Sequence, residues 1–232
     1  MKKTILSLFA LAFLFTLNID AQETTAPVYK NPVWGIKGNL NAELPSRVRE
    51  DGSSHKFFNS GFGASIGGVM NLYLAKNFYF EPEVALFYEG YSYNNVRPVA
   101  PNSPSVNVGP NIYKLGVRIP VDFGYFINIS EKWGLNIFTG PVFNYAFYGK
   151  AKSTHEATMN DDDLMSVFGG KYPQNRVDLA WKVGVGFPVD HFMISLEADF
   201  GITDMMKGPG TFRENTLGLG ITYYFANPAT TE

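Results

Sequence analysis

The stretch YKLGVRIPVDFGYFI, Tyr113 to Ile127, restricts the fold more than any other part of the chain. Its odd positions, Tyr113, Leu115, Val117, Ile119, Val121, Phe123, Tyr125 and Ile127, are all apolar. Its even positions carry Lys114, Gly116, Arg118, Pro120, Asp122 and Gly124. A repeat of two belongs to a β-strand, whose successive side chains point to opposite faces, and no helix sorts residues this way. The run is also long. An ordinary strand has ~5–6 residues, whereas one that crosses a membrane needs ~9–11.

Seven further segments alternate in the same manner. Trp34, Ile36, Leu40, Ala42 and Leu44 oppose Lys37, Asn39, Asn41 and Glu43. Phe62, Ala64, Ile66, Met70 and Leu72 oppose Gly63, Ser65, Gly67 and Asn71. Phe80, Val84, Leu86 and Tyr88 oppose Glu81, Glu83 and Glu89. In 135–149 both faces hold apolar residues, and Leu135, Ile137, Phe143, Tyr145 and Phe147 are placed opposite Asn136, Gly140 and Asn144. Val177, Leu179, Trp181, Val183, Val185 and Phe187 oppose Asp178, Lys182, Gly184 and Gly186. Phe192, Ile194, Leu196, Ala198, Phe200 and Ile202 oppose Ser195, Glu197, Asp199 and Gly201. Finally, Leu217, Leu219, Ile221, Tyr223 and Phe225 oppose Gly218, Gly220, Thr222 and Tyr224.

The connections alternate too. Those at 73–78, 127–133 and 188–191 are short, and those around 45–60, 94–111, 149–175 and 203–215 are long and rich in Gly, Pro, Ser, Asn and Asp. Long and short loops in strict alternation are expected of an all-β, eight-stranded antiparallel up-and-down transmembrane β-barrel, with both termini on the short-turn side. A soluble sandwich has no reason to sort its loops in this way.

Two barrels fit eight strands, and they differ in which face is inside. A soluble lipocalin-like barrel turns its apolar face inward and covers its exterior with charge. Here the polar face is mixed with glycine, which weakens an exposed strand without benefit but makes room inside a narrow barrel. The apolar face is therefore expected outside, against lipid. The lumen would then hold Lys37, Glu81, Glu83, Glu89, Lys114, Arg118, Asp122, Asp178, Lys182, Glu197 and Asp199 as a polar network. Buried charges need partners. A two-residue turn at Val189-Asp190 would put Lys182 directly opposite Glu197, and an ion pair between them is expected. Pro82, Pro120 and Pro141 are expected at bulges or strand ends, because proline removes a ladder hydrogen bond, and Pro188 at a turn.

Lys2 and Lys3 precede an apolar run from Ile5 to Leu17, followed by Ala21, a small residue suited to cleavage. Residues 1–21 are read as a signal peptide, a membrane anchor being the competing reading. Residues 22–32 would be a periplasmic lead, 33–225 the barrel and 226–232 a periplasmic tail. The absence of cysteine excludes disulfides, thiolate metal sites and lipid attachment at an N-terminal cysteine. A formal charge of −2 argues against nucleic acid as a partner.

The segments LGVRIPVDFGYFI, GLNIFTGPVFNYAF, NRVDLAWKVGVGF, LEADFGITDM and the terminal LGLGITYYF together resemble the PorT-type outer-membrane β-barrel family of the Bacteroidetes. The resemblance covers most of the mature chain and is strongest from Leu115 onward. It implies an eight-strand barrel in the outer membrane and little about activity. The last strand also resembles the signal read by the barrel-assembly machinery, with Gly220 as its glycine and Tyr223 and Phe225 as its aromatics, although ANPATTE follows Phe225.

Sites of chemistry are few. Asp161 to Asp163 could hold a divalent cation, but lack the regular oxygen spacing of a calcium loop; the alternative is a short surface helix, Asp162 to Phe168, capped by Asn160 or Asp161. His55 and His155 lie near Ser53, Ser54, Ser153 and Thr154. A Ser–His pair also needs a group that orients the histidine, and His191 reads as a turn residue. The loop 94–110 could contact a protein or glycan. The expectation is a non-enzymatic outer-membrane barrel with a packed polar lumen, acting structurally or through its loops, with no cofactor and no metal. Its partners would be outer-membrane lipid and the barrel-assembly machinery. The alternatives are a lipid-modifying acyltransferase or deacylase, or a small-solute pore, on the same barrel.

Overall fold

The computed structural model describes residues 32–50, 53–75, 77–94, 96–98, 105–107, 111–129, 134–152, 165–169, 173–208 and 210–226. The proposed leader, most of the lead, the end of the tail, Asp161–Asp163 and His155 lie outside them.

Eight long strands form one sheet: β1 (Val33–Glu43), β2 (Phe58–Ala75), β3 (Phe78–Tyr93), β4 (Asn111–Asn128), β5 (Gly134–Lys152), β6 (Val177–Val189), β7 (Phe192–Gly201) and β8 (Asn215–Tyr224). Each pairs antiparallel with its neighbours in the chain. β1 pairs with β8, from Gly35↔Tyr224 to Glu43↔Thr216, so the sheet closes on itself and has no edge. Closure gives every strand a hydrogen-bonded neighbour on both sides, a condition for a structure surrounded by hydrocarbon. Past the barrel the β1–β8 ladder continues through Leu44 N to Asn215 O (2.8 Å), Ser46 N to Arg213 O (2.8 Å) and the mutual pair of Arg49 and Thr211.

Burial follows the alternation and settles which face is inside. Leu40, Ile66 and Leu219 are 60%, 63% and 61% exposed, while Lys37, Lys114 and Lys182 are 1%, 1% and 0% exposed. Apolar residues thus clothe the exterior and charged ones fill the bore. Aromatic pairs gather at the belt's edges: Phe78 with Tyr125 and Phe192 with Tyr223 at the short-turn end, Tyr88 with Tyr113 at the loop end. Such girdles mark the two interfaces of a membrane barrel. Glycine makes room for large lumen side chains: a Cβ on Gly124 would overlap the Tyr79 ring, and one on Gly184 the Phe138 ring.

Several expectations need correction. The last short turn is Asp190-His191, because Val189 pairs with Phe192. Asp190 holds a φ of 55°, the left-handed geometry that two-residue hairpin turns require. Lys182 therefore stands opposite Asp199, with Gly184 opposite Glu197. The shift is by two residues, so every side chain keeps its face. Pro82, Pro120 and Pro141 lie inside strands, at Pro82↔Val121, Pro120↔Val142 and Trp181↔Pro141. The register shifts fall elsewhere, at Asn59/Phe62, Tyr73/Ala75 and Leu115/Gly116. Beside Pro141, whose nitrogen has no proton to donate, the Thr139 hydroxyl donates to Lys182 O at 2.7 Å and accepts from Trp181 Nε1 at 2.8 Å. The described part of the expected surface helix is not helical: Met165 and Ser166 pair with Ala151 and Lys150 at the end of β5, and a turn follows.

The bore has three layers. Val33, Val69, Met193 and Tyr224 form an apolar floor at the short-turn end. Charged residues occupy the middle. Val48, Phe58, Tyr91, Ile112, Val167, Met205, Met206 and Phe212 form an apolar roof, to which the loops contribute half the members or more.

Candidate functional site in the lumen

The charged layer begins just above the floor. Glu81 on β3 accepts from Asn71 Nδ2 at 2.8 Å and from the Tyr224 hydroxyl at 2.6 Å, both on its Oε2. These are neutral donors, so the idea that each lumen charge meets an opposite charge does not hold here. The next carboxylates do meet cations. Lys37 Nζ on β1 lies 2.5 Å from Glu197 Oε1 on β7 and 3.5 Å from Glu83 Oε2 on β3. Lys182 Nζ on β6 lies 3.2 Å from Glu197 Oε2 and 3.3 Å from Asp122 Oδ2 on β4. Glu197 thus stands between two lysines and also accepts from Ser195 Oγ at 2.7 Å. Lys37 Nζ sits 5.6 Å from the centre of the Phe138 ring, close enough for a cation–π contact.

Lys182 reaches Glu197 although the two are not cross-strand partners. The reach is diagonal, over two residues, a distance that long side chains span. Its direct partner Asp199 binds Arg118 on β4 instead, with Arg118 Nη2 donating to Asp199 Oδ2 at 2.6 Å. β4 and β7 are separated by two strands on one side and lie across the bore, so this pair is a strut between opposite walls.

At the loop end Lys114 on β4 lies 2.7 Å from Glu89 Oε1 on β3 and is also paired with Glu214, just before β8. Its Nζ sits 5.1 Å from the centre of the Tyr91 ring. The Tyr91 hydroxyl is 2.6 Å from Glu214 Oε1 and 2.9 Å from Gln174 Oε1. Asp178 on β6 accepts from Asn144 Nδ2 at 3.1 Å and Thr203 Oγ1 at 2.5 Å, again neutral donors. A cavity of about 20 Å³ lies among Glu43, Glu89, Arg118, Asp178, Asp199 and Glu214. That is room for about one water, far from the ~300–1,000 Å³ of a ligand pocket.

Glu43, Glu214, Gln174 and Tyr91 belong to this cluster but are not in the polar network expected from the sequence. Glu43 is the nearest to it, since the alternation of β1 puts it on the polar face with Lys37, Asn39 and Asn41. Glu214 shares the parity of Gly218 and Gly220, but it precedes the alternating run. Gln174 lies outside any long strand and gives no sequence signal.

The histidine candidates lie away from the lumen charges. His55 Nε2 is 3.0 Å from Ser53 Oγ, both residues exposed, in a hairpin of Val48–Glu50 with Ser53–His55. Ser53 donates its own proton to Glu50 O at 2.7 Å, which ties the hydroxyl to the hairpin. His191 occupies the Asp190-His191 turn, its Nδ1 3.0 Å from Tyr224 O. Gly220 faces the bore, where an added Cβ would meet Asn39, Ser195 and the lumen charge Glu197. Tyr223 and Phe225 are exposed on the outer wall, with ring centres 6.0 Å apart. Among the described residues, no group of three or more His, Asp or Glu side chains is arranged to hold a metal.

Residues 21–207 match the family described as outer membrane protein beta-barrel domain. Among curated protein sequences, none matches the chain. Solved structures of similar fold include Ail of Yersinia pestis, crystallised with the heparin analogue sucrose octasulfate. It is 18% identical, with 84% of this chain and 99% of that one covered and a TM-score of 0.42. Neisserial surface protein A is 12% identical over 83% of this chain and 97% of that one, with a TM-score of 0.46. OprG of Pseudomonas aeruginosa is 11% identical over 84% and 96%, with a TM-score of 0.44. With its closed eight-strand sheet, apolar exterior and ionic bore, the chain belongs to the outer membrane protein beta-barrel domain family and is a protein of the outer membrane.

Proposed function

We propose that this is a non-enzymatic barrel of the PorT type, whose bore is a packed polar plug and whose role is structural or exercised through its loops. One observation carries the reading: Lys37 and Lys182 both bind Glu197 in the middle of a bore floored and roofed by apolar clusters. Eight strands leave an interior only wide enough for side chains, and these are tied to one another. In this reading residues 1–21 are an export leader, the short turns and both ends of the mature chain face the periplasm, and the long loops face outward to a protein or glycan. Gly220, Tyr223 and Phe225 serve as the signal to the barrel-assembly machinery. The bound Ser53 hydroxyl and the exposed setting of His55 favour a structural hairpin over a catalytic pair.

The test is conductance. The mature protein, folded in detergent and added to a planar lipid bilayer, is expected to give no discrete current steps. Reproducible single-channel steps from the unaltered protein would replace the plug with a pore.

A further inference from the structure

A groove of about 580 Å³ opens where the extended β1–β8 ladder meets the end of β7, at the loop end of the barrel. Arg47, Arg49 and Arg213 line it, and all three are exposed. Among the described residues none of the three is in an ion pair. Among the described residues Asp204 is the one acid lining the groove. Its Oδ1 is taken by the backbone N–H groups of Met206 (3.0 Å) and Phe212 (3.1 Å). It serves to fold the loop.

The groove lies on the outer wall. Phe200 and Ile202 line it and are 54% and 52% exposed, members of the apolar belt. Arg213 keeps the outward parity of Leu217 and Leu219, while its neighbours Phe212 and Glu214 are buried. Three guanidinium groups therefore stand at the upper margin of a lipid-covered surface. At that height a membrane presents the headgroups of its outer leaflet, with acyl chains directly below. Guanidinium binds phosphate through paired hydrogen bonds, and does so best where carboxylates do not compete.

We infer that this groove holds the phosphate group of a phosphorylated outer-leaflet glycolipid, whose acyl chains lie along Phe200, Ile202, Leu44 and Leu217. From the reading above it takes only the outward direction of the loop end. Lipid retention and conductance are separate measurements, so either idea can fail alone.

The experiment uses the folded full-length mature chain in neutral detergent, with bound lipid read by native mass spectrometry. The probes are diphosphorylated lipid A, the same lipid without phosphate, and inorganic phosphate. The unaltered protein is expected to retain the diphosphorylated form about tenfold better than the dephosphorylated one. The variant R47Q/R49Q/R213Q loses that preference, each single variant loses part of it, and K56Q, outside the groove, keeps it. Heat-modifiable gel mobility identifies the folded fraction. Equal retention of the two lipids, or a triple variant that keeps the preference, overturns the inference. Displacement of the lipid by an equal concentration of inorganic phosphate overturns it too, in favour of a free-anion site.

Discussion

The middle of the bore and its loop end hold similar charges by different means. In the middle, Lys37, Lys182, Asp122, Glu83 and Glu197 all come from long strands, and each lysine is shared by two carboxylates. At the loop end, Lys114 and Glu89 come from strands, but Glu214 and Gln174 come from connections, and the roof above them is partly made of loop residues. Strand side chains are fixed in place by closure of the sheet, so the middle is held by the fold itself. The loop-end cluster forms only when the loops fold over it. The contrast teaches where rigidity ends in this barrel, and it ranks the variants that test it.

Lys182→Met is expected to have the largest effect. It keeps the aliphatic bulk and leaves Asp122, whose ion pair is with Lys182 at 3.3 Å, charged and buried. Removing one partner of a buried pair costs ~3–5 kcal/mol. Urea unfolding in detergent micelles, followed by tryptophan fluorescence, measures the loss. The double variant K182M/D122N removes the orphaned charge as well and should recover most of the stability, because Lys37 still holds Glu197 at 2.5 Å. A single variant as stable as the unaltered protein would break the comparison at its stronger side.

Glu214→Gln comes next, at ~1–3 kcal/mol. Lys114 keeps Glu89 at 2.7 Å, so its charge stays partnered, and the glutamine can still accept from Tyr91. The same urea titration should place this variant between Lys182→Met and the unaltered protein. A loss equal to that of Lys182→Met would show that the loop end is as rigid as the middle.

The difference between the two regions is also a difference in what the sequence discloses. Alternation alone assigns Lys37, Arg118, Asp122, Lys182 and Glu197 to one face: the last four sit between apolar neighbours, and Lys37, between Ile36 and Gly38, keeps the period of its strand. Who pairs with whom is another matter. The turn before Phe192 is set by the backbone of Asp190 at φ 55°, which hydropathy does not record, and a two-residue error there keeps every face while changing every partner. β5 is ambiguous for a physical reason: Phe138, against Gly184, and Val142 are both buried in the bore, so both its faces are apolar. The bulge at Leu115/Gly116 then turns Tyr148 outward with Phe147. Glu214 and Gln174 lie in connections without a period, and only the folded roof brings them to Lys114.

Tyr91→Phe is the smallest and sharpest test. The tyrosine does three things at once: its ring lies under Lys114 Nζ at 5.1 Å, packs edge-on against Phe58 at 5.5 Å, and carries the hydroxyl that lies between Glu214 and Gln174. Phenylalanine keeps the first two and removes the third. Lys114 still neutralises Glu214, so the expected loss is that of one buried hydrogen bond, ~1 kcal/mol. It would be read as a lower urea midpoint with an unchanged slope. No loss would mean that the Lys114 ion pairs hold the loop end unaided and that Gln174 is an onlooker. A loss near that of Lys182→Met would mean that the hydroxyl fastens the loops to the strands, and that the roof folds with the barrel as one unit.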